Sequence, residues 1–366
     1  MQPERLAALR PSWAQALPRG IAPFAAGLAL AFTLQLVIVP LVGDFWARLL
    51  MDIGINITLA VSLNMVNGYT GQFSIGHAAF MAVGGYVAGA VTYYGSYLWL
   101  DALGPTGRPV VSGAFLGAGD LTFVAAALMG GLAAAAAGFV VGLPSLRLRG
   151  DYLAIVTLGF GEIFRVVVQR TDDVKFVAAE VAQAGPLDLL TSVGGALGFG
   201  GIPTYTTVFW VWSVVAVVLV VATRLKFSSE GRAFLSVREN EVAAEAMGVD
   251  TTRYKVKAFV LAAFFAGLAG ALFAHESGTT LNPRELGFQK SFDVVIMVVL
   301  GGMGSISGAV LAAILLTLLP ELLRSFADWR MVAYAALLIG MMLARPQGLF
   351  GLREVWELGR SRRRAP

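Results

Sequence analysis

Apolar residues in this chain come in long runs separated by short polar stretches. A helix needs about 20 predominantly apolar residues to cross a hydrocarbon core of roughly 30 Å. Runs at 21–42, 49–65, 73–93, 121–143, 152–168, 206–223, 258–273, 294–319 and 332–343 approach or exceed that length. The run 294–319 is interrupted by Gly301, Gly302, Gly304 and Gly308. It is expected to form two short helices or a re-entrant pair, since glycine-interrupted spans are where transporters build substrate paths. The pattern predicts an all-α polytopic membrane protein with about eight to ten transmembrane helices, some of them broken or re-entrant.

Composition agrees with that reading. Hydrophobic residues make up 57% of the 366 and charged residues only 14%, against about 45–50% and about 25% in soluble domains. The mean hydropathy is +0.74. Forty-three glycines suit close helix approach and irregular backbone that lines a polar path. The pairs Gly85/Gly89, Gly138/Gly142 and Gly304/Gly308 have the spacing of helix-packing motifs. There is no cysteine and only two histidines, His77 and His275, so a disulfide is excluded and a metal centre has almost no ligands to draw on.

Most of the 27 lysines and arginines fall in four places. These are the N-terminus (Arg5, Arg10, Arg19), a turn with Arg147 and Arg149, the polar segment 224–257, and the tail from Arg345 to Arg364. The intervening loops carry Asp101, Asp120, Asp172, Asp173, Glu180 and Asp188. Basic loops stay cytoplasmic, so both termini are expected inside. The net charge of +4 is thus explained by orientation, not by nucleic acid, and Arg362–Arg364 could touch anionic lipid. The expected layout is a cytoplasmic N-terminal segment 1–20, a membrane domain 21–346 that includes the cytoplasmic segment 224–257, and a basic cytoplasmic tail 347–366. The first span is read as retained, not as a signal peptide.

No G-x-x-x-x-G-K-[ST] loop is present, because no lysine follows a glycine; ATP hydrolysis by a phosphate-cradling loop is therefore excluded. H-E-x-x-H and G-x-S-x-G are also missing, so an enzyme reading has little support. The segment 227–250 is charged and lies between two spans. Ser228 or Ser229 can start a helix there and Gly248 can end it. Phe234, Val237, Ala244 and Met247 make an apolar stripe beside Arg238, Glu239 and Glu245. Such a helix could dock in a groove of a separate protein or lie on the membrane surface.

Two further groups carry polar chemistry into the membrane. Asn64, Asn67, Gln72, Ser74 and His77 surround Gly68, Gly71 and Gly76; they either border a translocation path or cap helix ends in a cytoplasmic hairpin. Glu162 stands about 16 Å along a helix from Asp151, near mid-bilayer, where an ionisable group is costly. Arg165 is in reach of it, so it forms a structural ion pair or lines a gate, with Tyr152 and Thr157 as further candidates for the same path. Asp293 and Asp52 read as interfacial anchors.

Several motifs resemble one family. LNMVNGYTGQFSIGHAAF (63–80), LRLRGDYLAIVTLGFGE (146–162), VLGGMGSISG (299–308), LPELL (319–323) and RPQGL (345–349) are similar, in order, to the signatures of branched-chain amino acid permeases of ATP-binding-cassette importers, M-type subunit (LivM). VAAEAMG (242–248) resembles the E-A-A-x-x-x-G element by which such permeases contact their ATPases, with Val242 where the motif has its leading glutamate. The resemblance implies a permease without its own cofactor or metal, in the bacterial inner membrane. It further implies a second related permease of H-type, two ATPase subunits that bind ATP and Mg, and an external substrate-binding protein. Carried onto this chain, the coupling residues are Gly231, Arg232, Arg238, Glu239, Ala243, Ala244, Glu245 and Gly248. A urea or short-amide importer, and a secondary transporter or channel without ATPases, are the alternatives.

Overall fold

The computed structural model describes residues 13–98, 117–145, 152–276, 280–326, 330–345, 347–351 and 354–355. Arg5, Arg10, Asp101, Arg147, Arg149, Asp151 and the run Arg362–Arg364 lie outside the described residues. Among the described ones the structure is helical, apart from one isolated bridge between Phe199 and Leu281. The helices are α1 (Trp13–Thr33), α2 (Val39–Asn67), α3 (His77–Leu98), α4 (Ala118–Ser145) and α5 (Tyr152–Gln169). The short α6 (Ala178–Gln183) and α7 (Pro186–Thr191) precede α8 (Val208–Phe227), α9 (Ser229–Glu239) and α10 (Glu241–Ala246). The series closes with α11 (Thr251–Ala274), α12 (Phe288–Gly301), α13 (Ile306–Leu322) and α14 (Arg330–Ala344).

The chain reverses at Gly43, whose φ of +79° and ψ of 171° break the helix just after Pro40. Contacts to α8 establish the reversal. Phe32 meets Phe209 at one end of α1 and Phe24 meets Arg224 at the other, so α1 runs antiparallel to α8. Gly54 faces Val211, and Tyr69 donates to the Ala222 carbonyl, so α2 runs parallel to it. The loop expected between the first two spans is therefore a tight kink, and Arg48 sits inside α2.

The remaining passes alternate. α3 and α11 run parallel, with Gly84 against Gly267 and Thr92 against His275. α4 lies antiparallel to α11, with Gly131 near Leu268 and Gly138 near Ala263. The α3–α11 contact needs glycine: a Cβ on Gly270 would lie 1.8 Å from the Met81 carbonyl oxygen. Gly85, Gly138 and Gly308 of the three predicted pairs do face neighbouring helices. Burial of α2, α3 and α11 makes the core, while α1, α4 and α5 expose apolar faces in the isolated chain.

The interrupted run splits as its glycines predict. α12 and α13 meet at a turn, residues 302–305, with Gly302 at φ +103° and Gly304 at φ +97°. α12 spans 14 residues, about 21 Å, which is shorter than a full crossing. Among the described residues, five stretches are long and apolar enough to cross a membrane: Ile21–Asn67, Gly119–Ser145, Tyr152–Gln169, Val208–Phe227 and Thr251–Ala274.

Candidate functional site

Between α2 and α3 the chain leaves helical geometry over residues 71–76. This extended strip packs in the cleft between α2 and α5 and is held by side chains on both, while α12 holds the start of α3. Thr157 Oγ1 of α5 accepts from the Ile75 amide at 3.1 Å, and Ser291 Oγ of α12 accepts from the Ala78 amide at 3.0 Å. Asn67 Oδ1 accepts from the Ser74 amide at 3.2 Å, and His77 Nε2 lies 2.8 Å from Ser62 Oγ. Gly76 lets the strip press against α5, since a Cβ there would lie 2.2 Å from the Thr157 carbonyl oxygen.

Asn64 ties the same helix end to the α12–α13 turn. Its Oδ1 accepts from the Gly304 amide at 2.7 Å, and its Nδ2 donates to the Ser305 carbonyl at 3.0 Å. The sequence left open whether these polar residues cap backbone or border a path. The structure gives Asn64 a backbone-bridging role. It also leaves Asn67 Nδ2, Gln72 Oε1 and Ser74 Oγ buried with no hydrogen-bond partner. A buried polar atom left in that state costs about 1–3 kcal/mol.

The polar segment after α8 forms two helices, not the single one expected. Asn240 adopts an extended φ of −161° and its side chain accepts from the Ala243 amide, starting α10 afresh. Ser228 caps α9 and Gly248, at φ +84°, follows the end of α10. The apolar stripe divides accordingly. Phe234, Val237 and Ala244 are buried against the chain's own spans, with Phe234 edge-on to Tyr254. Met247 (84% exposed) and Val242 point outward. Arg232, Glu239, Ala243, Glu245 and Gly248 share this outer side, whereas Gly231 is buried where a Cβ would lie 2.1 Å from the Leu225 carbonyl oxygen.

Arg238 turns inward. Its Nη1 donates to the Gly68 carbonyl at 2.6 Å and to the Met303 carbonyl at 3.4 Å. One guanidinium therefore joins α9 to the end of α2 and to the broken-helix turn. Ion pairs Glu241–Lys255 and Glu230–Lys257 fasten the same helices to α11.

Sequence reasoning missed a second fastening. Glu354, fully buried, accepts from the Ile306 and Ser307 amides at 3.0 Å each and from Ser307 Oγ at 2.6 Å. These are free donors of the α13 N-terminus. Lys226, at the end of α8, pairs with Glu354 at 2.5 Å and donates to the Gly304 carbonyl at 2.8 Å. Burial opposes ionisation of Glu354, but Lys226 and the Ser307 and Ile306 donors outweigh it and hold the carboxyl below its ordinary value. The sequence signal was slight: Glu354 is one of two glutamates, with Glu357, in an arginine-rich tail.

On α5, Glu162 and Arg165 form the expected ion pair at 2.8 Å, and Arg165 also donates to Gln169. The pair is partly exposed and lies beside Gly287 at the start of α12. Thr157 is buried within the cleft, while Tyr152 is exposed at the start of α5.

Residues 45–344 match the family described as branched-chain amino acid transport system / permease component. The chain belongs to that family. The high-affinity branched-chain amino acid transport system permease protein LivM of Salmonella typhimurium is 36% identical over 312 residues, covering 81% of this chain and 67% of that protein. LivM of Escherichia coli matches to the same extent. The high-affinity branched-chain amino acid transport system permease protein LivH of Escherichia coli is 27% identical over 300 residues, covering 81% of this chain and 91% of its own. No solved structure matches the chain. With its long apolar helices, this permease is a multi-pass membrane protein. The family match contains the α2–α3 strip, Arg238 and the α12–α13 turn, whereas α1 and Glu354 lie outside it.

Proposed function

We propose that this chain is the M-type half of an ATP-driven importer for branched-chain, hydrophobic amino acids in a bacterial inner membrane. An H-type permease, two ATPases carrying ATP and Mg, and an external binding protein complete the assembly. Both chain ends and α9–α10 lie on the cytoplasmic side, and the outer face of α9–α10 seats in an ATPase groove. Closure of the ATPases shifts α9, and Arg238 carries that shift to the end of α2 and the α12–α13 turn. The cleft lined by Asn67, Gln72, Ser74 and Thr157 then changes its exposure between the two sides.

The observation that carries this reading is the pair of Arg238 bonds to the Gly68 and Met303 carbonyls. They link the outward-facing helix pair to the two irregular backbone segments, the end of α2 and the α12–α13 turn. The test is purification of the complex from its native host in mild detergent, with and without Met247→Asp. ATPase subunits recovered with the unsubstituted chain and lost from the variant are the expected result. A stable permease that brings down no ATPase in either sample would overturn the reading.

A further inference from the structure

Away from the α2–α3 strip, charged side chains meet in the middle of the helix bundle. Lys290, on α12, donates to Asn56 Oδ1 of α2 at 3.0 Å, and Asn56 Nδ2 donates to Thr317 Oγ1 of α13 at 2.9 Å. Three independent helices give the depth of this contact. Lys290 precedes Gly301, Asn56 precedes Asn67 and Thr317 follows Ile306 by about 11 residues each, hence about 16 Å. All three reference points gather at the α9–α10 end, where Asn64, Arg238 and Lys226 tie them together. The contact thus lies about 16 Å from that end, inside the bundle.

Lys290 has three carboxylates for electrostatic neighbours: Asp293 one turn along α12, Asp52 one turn along α2, and Glu276 just past α11. Arg48 adds a second cation, coupled to Glu276. No direct salt bridge joins Lys290 or Arg48 to these carboxylates among the described residues. Lys290, Asp52 and Asp293 each keep partial exposure in the isolated chain. Ionisable groups within a membrane bundle are rare and mark substrate or ion routes.

Both signs of charge, close enough to interact yet not collapsed into pairs, suit a ligand that itself carries both signs. We propose that Lys290, Asp52 and Asp293 form a waystation for the zwitterionic head of an α-amino acid, the carboxylate meeting Lys290 and the ammonium meeting the two aspartates. Asn56 and Thr317 hold Lys290 in place. This rests on the importer reading above and adds the residues that handle the solute's charge.

The test uses the full importer in proteoliposomes, with its binding protein loaded with radiolabelled L-leucine. Lys290→Met and Asp293→Asn should each lower leucine uptake at least fivefold, while complex assembly and ATP hydrolysis stimulated by the loaded binding protein stay within twofold. A smaller loss of uptake in assembled complexes overturns the proposal. Should Lys290→Met fail to assemble, the isosteric Asp293→Asn decides by the same threshold. Uptake by the unsubstituted importer that vanishes when sodium is replaced would assign the cluster to a coupling cation and also overturn it. No leucine uptake by the unsubstituted importer refutes the importer reading itself, which separates the two failures.

Discussion

Glu354 and Lys226 illustrate how much one buried pair can organise. Glu354 closes the start of α13, and Lys226 neutralises it while reaching the Gly304 carbonyl. Removing one partner of a buried pair costs about 3–5 kcal/mol, because the other is left as an uncompensated charge. Lys226→Met should therefore lower the detergent-solubilised melting temperature sharply, and adding Glu354→Gln should restore part of the loss. The pH dependence follows from the depressed carboxyl. Its stabilisation is complete above the ordinary value of 4.5 and is lost as pH falls through the lower folded value. Unfolding followed by tryptophan fluorescence should show wild type holding its stability down to that range. A flat profile with Lys226→Met indistinguishable from wild type would contradict the pairing.

At the scale of elements, the packing of α3 on α11 and the coupling of α9 to the spans make separate predictions. Gly270→Ala pushes a Cβ into the Met81 carbonyl and should cost about 1–3 kcal/mol of stability through overpacking, read as a lower melting temperature. Arg238→Ala should leave ATPase binding intact, since the outer face of α9–α10 is untouched, yet reduce solute uptake at least tenfold. Uptake near wild type in that variant would show that the motion travels by another route. The sequence made these elements legible to different degrees. Apolar runs located the spans, and four glycines in 301–308 located the break between α12 and α13. The split at Asn240 was not legible, because one side chain capping a new helix start looks, in sequence, like any polar residue on an amphipathic helix. Nor was the Arg238 contact, which joins residues 68, 238 and 303 across three elements that only the fold brings together. The break around Gly43 was located by the gap between the runs 21–42 and 49–65, but its form was not: a reversal made at a single kinked residue reads, in sequence, like a short loop.

For the whole molecule, one end gathers nearly everything that links motion to the membrane. The α9–α10 pair, the end of α2, the α12–α13 turn and Glu354 all meet there, and the polar contacts of α5 and α12 continue from it into the bundle. The central claim is that the exposed side of α9–α10 seats an ATPase. The chain contains no cysteine, so a single introduced thiol is its one attachment point for a photoactivated crosslinker, with the complex of the unsubstituted chain labelled as the control for thiols on other subunits. Met247→Cys, labelled in the native complex, is the measurement to make, with Leu197→Cys, exposed beyond α7 near the start of α8, labelled in parallel. The account predicts an ATPase adduct from position 247 and none from 197. Equal ATPase adducts from both positions, or none from 247 while the complex is intact, would contradict it.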